Sequence, residues 1–369
     1  MSRHVPPLVL SVFPTFAVGG AQVRFCALAN RFGPRWRHAI VALDGRSECA
    51  SRLGREVPFE LLPSPARRGD NAMRNLPRIV SMLRSSRPDV LVTSNWGSME
   101  WATGNLVPPR VRHLHMEDGF GPDESSGQLA RRVAARSIAL RWSTVAVPST
   151  TLLRVAKEAW RLPARRLRHI PNGIDLARFR PDGPADAAPS PGIGPLVGTV
   201  AALRPEKNVG RLLRAAALLL REGTTLRLAV IGDGAERPRL EALAAELGIA
   251  GSVLFTGHAP DPAASYRSLD VFALSSDTEQ MPFSVLEAMA TGLPVAATDV
   301  GDVRAMLAEA NLPHISALGD AALASALRPL LRDGALRSRV GEANRRKAER
   351  DYDQETMFRT YAALLDGEA

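Results

Sequence analysis

Short apolar runs alternate along the chain with segments whose apolar residues recur every three or four positions. The runs at 8–13, 37–43, 59–62, 89–93, 111–115 and 144–147 predict buried strands, and the segments at 21–31, 73–85, 97–105 and 125–141 predict helices between them. The same alternation resumes after residue 195. Strands are predicted at 196–203, 227–231, from 253, at 270–274 and at 295–298, with helices at 209–221, 236–247 and from 284, and a last helical segment at about 335–366. Strand and helix in turn predict doubly wound parallel sheets, with sites at the carboxyl ends of the strands. The Pro-, Ala- and Gly-dense stretch 181–195 reads as a linker between the halves.

The most informative stretch is 270–298, a strand–loop–helix–strand unit. Ser284 is placed as helix N-cap, and Gly292 followed by Pro294 ends that helix. Unpaired amides and a positive dipole end at such a helix start attract phosphate. Glu279 in the loop and Glu287 in the helix flank those amides, and carboxylates accept two hydrogen bonds each from hydroxyl-rich rings. Ser284-x-x-Glu287 is equally a capping box that needs no ligand.

The whole string resembles the E-x7-E motif of retaining family-4 glycosyltransferases of GT-B fold, commonly E-G-F-x-x-x-x-x-E-A-x-A-x-G-x-P-V. Glu279, Glu287, Ala288, Ala290, Gly292, Pro294 and Val295 stand in the motif's places, while Gln280 and Met281 replace its Gly-Phe. The resemblance implies two Rossmann-like α/β domains facing a cleft: an acceptor domain over 1–180, the linker 181–195, a donor domain over 196–350, and a C-terminal helix over 351–369 crossing back. It implies a nucleoside diphosphate sugar as donor, transferred without a metal or other cofactor to a glycan or lipid-linked acceptor hydroxyl. Ser284 and Val285 would give amides to the diphosphate, Glu287 would hold the ribose and Glu279 the sugar hydroxyls.

Other motifs follow from the same resemblance. Gly19-Gly20 after the first strand lets backbone approach a ligand closely, or simply turns the chain. In family 4 a Gly-Gly loop there lies near the donor phosphates. It is not the G-x-G-x-x-G fingerprint of a dehydrogenase. Family strings of the form H-x-E-H-G correspond to His115-Met116-Glu117-Asp118-Gly119, with Asp118 in place of the second histidine. His115 or Asp118 would accept a proton from, or orient, the acceptor hydroxyl. The string 169–175, H-I-P-N-G-I-D, matches a family signature that brings Asn172 to the cleft. Arg204 and Lys207, three apart at a helix start, are unfavourable with the dipole unless an anion sits between them. The family places a diphosphate there, with the two cations stabilising its departure. Gly257 and His258 fall where the nucleotide base rests.

Composition adds compartment and partner. Cys26 and Cys49 show neither metal spacing nor a disulfide framework, which predicts a reducing, cytoplasmic setting. No apolar stretch approaches the ~20 residues of a membrane span, and 8–13 is too short for a secretory signal. Residues 1–185 hold 28 Lys+Arg against 14 Asp+Glu, whereas the remainder holds 19 against 24. A basic first half suggests an anionic partner: a peripheral position at the inner membrane face, with Arg-rich 131–168 and its Trp142 and Trp160 as the contact, or else only a soluble Arg-rich surface. No basic–aromatic RNA motif or helix-turn-helix pattern supports nucleic acid. The remaining alternative is a non-catalytic nucleotide-sugar-binding protein, with Asp118 marking lost chemistry.

Overall fold

The computed structural model describes residues 5–66, 72–120, 124, 127–186 and 193–368. Two compact units account for the chain: residues 1–171 with 358–369, and residues 172–357.

The first unit is built on a seven-stranded parallel sheet of order β3-β2-β1-β4-β5-β6-β7. Its elements are β1 (Leu8–Phe13), α1 (Gly20–Phe32), β2 (Arg37–Ala42), β3 (Phe59–Leu62), α2 (Ala72–Ser86), β4 (Val90–Ser94), α3 (Met99–Gly104), β5 (Arg112–Met116), α4 (Ala130–Ala139), β6 (Thr144–Val147), α5 (Thr150–Glu158) and β7 (Leu167–His169). The central strands are buried on both faces, as a sheet covered by helices on each side requires.

The second unit carries a six-stranded parallel sheet of order β10-β9-β8-β11-β12-β13. It comprises β8 (Leu196–Val200), α6 (Val209–Arg221), β9 (Arg227–Ile231), α7 (Arg237–Glu246), β10 (Val253–Gly257), α8 (Ala263–Arg267), β11 (Val271–Leu274), α9 (Phe283–Ala290), β12 (Val295–Thr298), α10 (Val303–Met306), β13 (Ile315–Ser316), α11 (Asp320–Arg332) and α12 (Gly334–Asp351). Successive strand residues point to opposite faces. Phe272 and Leu274 therefore pack with Val285, Leu286 and Met289, whereas Val271 and Ala273 pack with Leu212, Leu219 and Leu327. The last helix, α13 (Gln354–Asp366), contains the division between the units.

Several expectations are corrected. The predicted helix 97–105 starts as a 3-10 turn at Trp96–Ser98 and is α-helical only over Met99–Gly104. Of the predicted helix 125–141, residues 125 and 126 lie outside the described residues and the helix spans Ala130–Ala139. Residues 187–192 of the stretch expected to be a linker also lie outside them. The 335–366 segment is two helices, broken at Tyr352-Asp353, where Asp353 bridges to Ile174. The arginine stripe is not one surface. Arg136 is fully enclosed, and so is Trp160, whose indole N–H donates to Gln128 at 2.7 Å, while Trp142 is half exposed.

Candidate active site

Each sheet reverses its strand order at one point, between β1 and β4 and between β8 and β11. Crevices at the carboxyl ends of strands open at such switch points.

In the second unit the loops after β8 and β11 meet there. Lys207 Nζ lies 2.6 Å from Glu279 Oε1, and Ser276 Oγ donates to the same oxygen at 2.8 Å. Asn208 takes a left-handed φ of 39°, caps α6 by accepting from the Arg211 amide, and donates to Asp277. Arg211 donates to Asp277 at 2.6 Å and to the Ser275 carbonyl at 2.7 Å, and Ser275 Oγ donates to the Lys207 carbonyl at 3.1 Å. The two loops are thus cross-braced, with Lys207 and Glu279 part-exposed at their tips. Arg204 is exposed at the start of the same turn.

The Glu279 loop is held from behind. Gly301, at φ 56°, packs so closely that a Cβ would stand 2.3 Å from the Glu279 carbonyl oxygen. The Asp302 amide donates to the Gln280 carbonyl at 2.8 Å. Asn172 is buried and donates from Nδ2 to the Met281 carbonyl at 3.0 Å.

The N-cap of helix α9 stands two residues earlier than expected, and Ser284 lies within the first turn. Pro282 occupies the N-cap position with extended backbone and no side-chain bond. Nor does the capping box form: Glu287 accepts from Tyr266 Oη at 2.7 Å. Burial raises the Glu287 pKa, and the Tyr266 bond partly offsets that. The Val285 amide, expected to face a ligand, donates to the Pro282 carbonyl at 3.2 Å. Among the described residues, the amides of Phe283 and Ser284 have no acceptor, so the anion-binding end is shifted one residue toward the N-terminus.

Farther along the sheet edge, Gly257 (φ 77°) accepts at its carbonyl from the Gly232 amide at 2.8 Å, and a Cβ on Gly232 would stand 1.9 Å from the Ala201 carbonyl oxygen. The backbones after β8, β9 and β10 therefore close together, and His258 beside them is exposed.

In the first unit Gly19 is the extended N-cap of α1 and Gly20 its first residue. Arg24, four residues on, makes a two-pronged ion pair with Asp118, at 2.7 and 3.0 Å. The Asp118 amide donates to Asn95 Oδ1 at 2.7 Å. The Arg24 guanidinium also lies 5.5 Å from the Tyr361 ring centre. His115 is placed differently from expectation. It points into the sheet, fully buried, with Nδ1 2.8 Å from Thr93 Oγ1 and Nε2 3.5 Å from Glu117. Neighbouring strand residues alternate in direction, so His115 belongs to an interior chain. In that chain Thr93 meets His113, His113 meets Ser143, and Glu117 accepts from Arg136, which also holds Glu124. Burial pushes the His113 pKa down to about 3.

Arg24, Asn95, Ser276, Tyr266 and Gly301 were not identifiable from the sequence. Only Asn95, before Trp-Gly, carries a turn signal. Arg24, Tyr266 and Gly301 act through partners remote in sequence, and Ser276, three residues from Glu279, carries no pattern that marks the contact. Among the described residues, no three His, Cys, Asp or Glu side chains gather as a metal site.

Two family models match: Glycosyltransferase Family 4 over residues 18–178 and Glycosyl transferases group 1 over residues 187–347. The chain is 30% identical over 278 residues to a GDP-mannose-dependent alpha-(1-6)-phosphatidylinositol monomannoside mannosyltransferase of Mycolicibacterium smegmatis, covering 65% of this chain and 73% of that protein. It is 30% identical over 221 residues to the lipopolysaccharide core biosynthesis glycosyltransferase LpsE of Rhizobium meliloti, covering 58% of this chain and 60% of that one. The structure of Anabaena HepE in complex with UDP and glucose superposes with a TM-score of 0.80 at 16% identity, over 98% of this chain and 100% of that one.

Proposed function

The chain belongs to the family-4 glycosyltransferases of GT-B fold, and on that premise we propose that it moves a hexosyl group from a nucleoside diphosphate sugar to the hydroxyl of a glycan or lipid-linked acceptor, with retained anomeric configuration and without a metal. The observation that carries this reading is the Lys207–Glu279 pair, cross-braced at the switch point of the second sheet. Lys207 and Arg204 supply positive charge beside the open amides of α9, where a diphosphate gains from both. Glu279, held by Ser276 and Lys207, keeps one carboxylate oxygen for sugar hydroxyls. Glu287 and the backbone at Gly257 take the nucleoside.

In the reaction the bond between the anomeric carbon and the diphosphate oxygen breaks, and the acceptor oxygen bonds to that carbon. The acceptor proton leaves with the diphosphate. Both Asp118 oxygens lie in the Arg24 fork, which suits Asp118 to orient the acceptor hydroxyl rather than take its proton. His115 has a positioning role only, through the buried chain beneath Glu117. The relatives' printed activities, on a phosphatidylinositol mannoside and on lipopolysaccharide core, support an acceptor in bacterial surface glycolipid or polysaccharide synthesis. The basic first half supports work at the inner face of an anionic membrane.

The test is transfer by Glu279→Ala and Lys207→Ala with UDP-, GDP- and ADP-sugars. Each variant is expected to lose about 10²-fold in kcat/KM. The double variant should lose less than the product of the two, because the partners share one bond. Activity near wild type in both single variants would sink the reading. If donor binds without turnover against any lipid or glycan acceptor, the non-catalytic alternative takes its place.

A further inference from the structure

A cavity of about 240 Å³ opens at the opposite end of the first sheet, where β4, β5 and β6 begin. Its floor is apolar, from Val90, Ala102, Leu114 and Ala139, and its polar lining includes Arg110, Arg112 and Arg166 and no carboxylate. The three guanidiniums differ in their engagements. Arg112 donates to the carbonyls of Leu364 and Leu365 at the end of α13, so its charge is fixed there. Arg110 lies 4.9 Å from the Trp142 ring centre and donates through Nε to the Leu106 carbonyl. Arg166 has no side-chain partner among the described residues. Of the acids beside the lining residues, Asp89 accepts from the Leu8 amide at 2.7 Å and Asp366 from the Trp36 indole and from Arg35, while Glu368, after the lining residue Gly367, is exposed.

Such a concentration of cations is unfavourable unless an anion offsets it. The mouth is apolar as well as basic. Trp142 is 51% exposed and lines it, and Ile138, next to the lining residue Ala139, is 63% exposed. The volume falls below the ~300–1,000 Å³ of pockets that enclose drug-sized ligands, so it suits a headgroup rather than a whole amphiphile. Arginine forks match phosphate oxygens, and a tryptophan ring sits favourably at the boundary of lipid and water.

We propose that this cavity is a phospholipid-headgroup site, in which Arg110 and Arg166 hold a lipid phosphate and Trp142 and Ile138 meet the acyl boundary. The proposal deepens the reading that the first unit meets an anionic membrane. It does not involve the transfer chemistry, so transfer to a soluble acceptor reports on that separately.

The experiment is co-sedimentation of the full chain with vesicles of phosphatidylcholine alone and of phosphatidylcholine with phosphatidylglycerol in equal parts. Tryptophan emission of wild type and Trp142→Phe is followed alongside, with inorganic phosphate as a third probe. Wild type is expected to bind the anionic vesicles with a blue shift that Trp142→Phe lacks. Arg110→Gln/Arg166→Gln should bind at least tenfold more weakly while keeping transfer to a soluble acceptor. Arg166→Gln alone, which removes a side chain with no internal partner, should show part of the same loss and guards against misfolding of the double variant. Equal vesicle binding by wild type and both variants would overturn the proposal, as would a Trp142 response to inorganic phosphate without vesicle binding, which would make the occupant a soluble anion.

Discussion

Arg24 and Asp118 form one ion pair from unequal positions. The Arg24 side chain is 2% exposed, while that of Asp118 is 19% exposed. A guanidinium cannot shed its proton, whereas a carboxylate left without its partner can hydrate or protonate. Asp118→Ala should therefore destabilise by about 3–5 kcal/mol, and Arg24→Met by less, about 1–2 kcal/mol. Urea unfolding of the two variants reads the order, and a reversed order would mean that Arg24 is the less replaceable partner.

Two histidines carry a pH dependence at the same scale. Burial pushes His38 down to about 4 and His113 down to about 3, from an ordinary value near 6.5. Below about pH 6.5 the unfolded chain takes up protons that the folded chain refuses, so stability falls as pH drops. It should continue to fall until the folded values are reached. Each should remove about 1–2 kcal/mol between pH 7 and pH 5. Unfolding midpoints across that range should slope upward with pH, and His38→Leu should flatten the slope.

At the scale of elements, legibility followed sequence distance. The α9 string could be read because its loop, helix and following strand are contiguous, and the strands β1, β3, β6, β9 and β12 fall on the expected residues. The short strands β7 and β13, three and two residues long, have too few positions to show a pattern. Placement of His115 failed for a related reason. A run buried on both faces gives no period that tells inward from outward, so the motif match could not show that the ring turns into the sheet. Partnerships such as Arg24–Asp118, separated by 94 residues, leave no local trace. The loop after β12 yields a prediction of its own. Gly301→Ala would place a Cβ against the Glu279 and Gln280 carbonyls at a φ that side chains resist. Transfer should fall toward the level of Glu279→Ala, while Gly251→Ala, with nothing within 4 Å, should leave it unchanged. Wild-type kinetics in Gly301→Ala would mean that the loop yields without consequence.

At the scale of the molecule, the alternating pattern conveyed two parallel sheets, but composition pointed to a boundary at 181–195, whereas the second unit begins at residue 172. Residues 172–179 belong physically to the second sheet. Ile174 bridges to Asp353 and Phe179 packs edge-on against Tyr266 at 5.9 Å; both lie in the core with Phe272 and Leu286. The Gly173 amide lies 3.1 Å from Met357 Sδ, and Arg345 donates to the Phe179 carbonyl at 2.7 Å. Cutting at 196 and 350 would remove Gly173, Ile174, Phe179, Asp353 and Met357 and with them these contacts. Ile174 and Phe179 alone are worth about 1.5–3 kcal/mol each in buried apolar area, and Tyr352 and Met357, buried in the same unit, go with them. That loss is comparable with the ~5–15 kcal/mol that keeps a domain folded. A fragment of residues 172–357 should therefore unfold cooperatively and bind a nucleoside diphosphate, whereas one of residues 196–350 should show no cooperative transition. Comparing their urea curves and thermal shifts with UDP and GDP decides it: equal stability of the two fragments would mean that the segment 172–179 rides on the second sheet without supporting it.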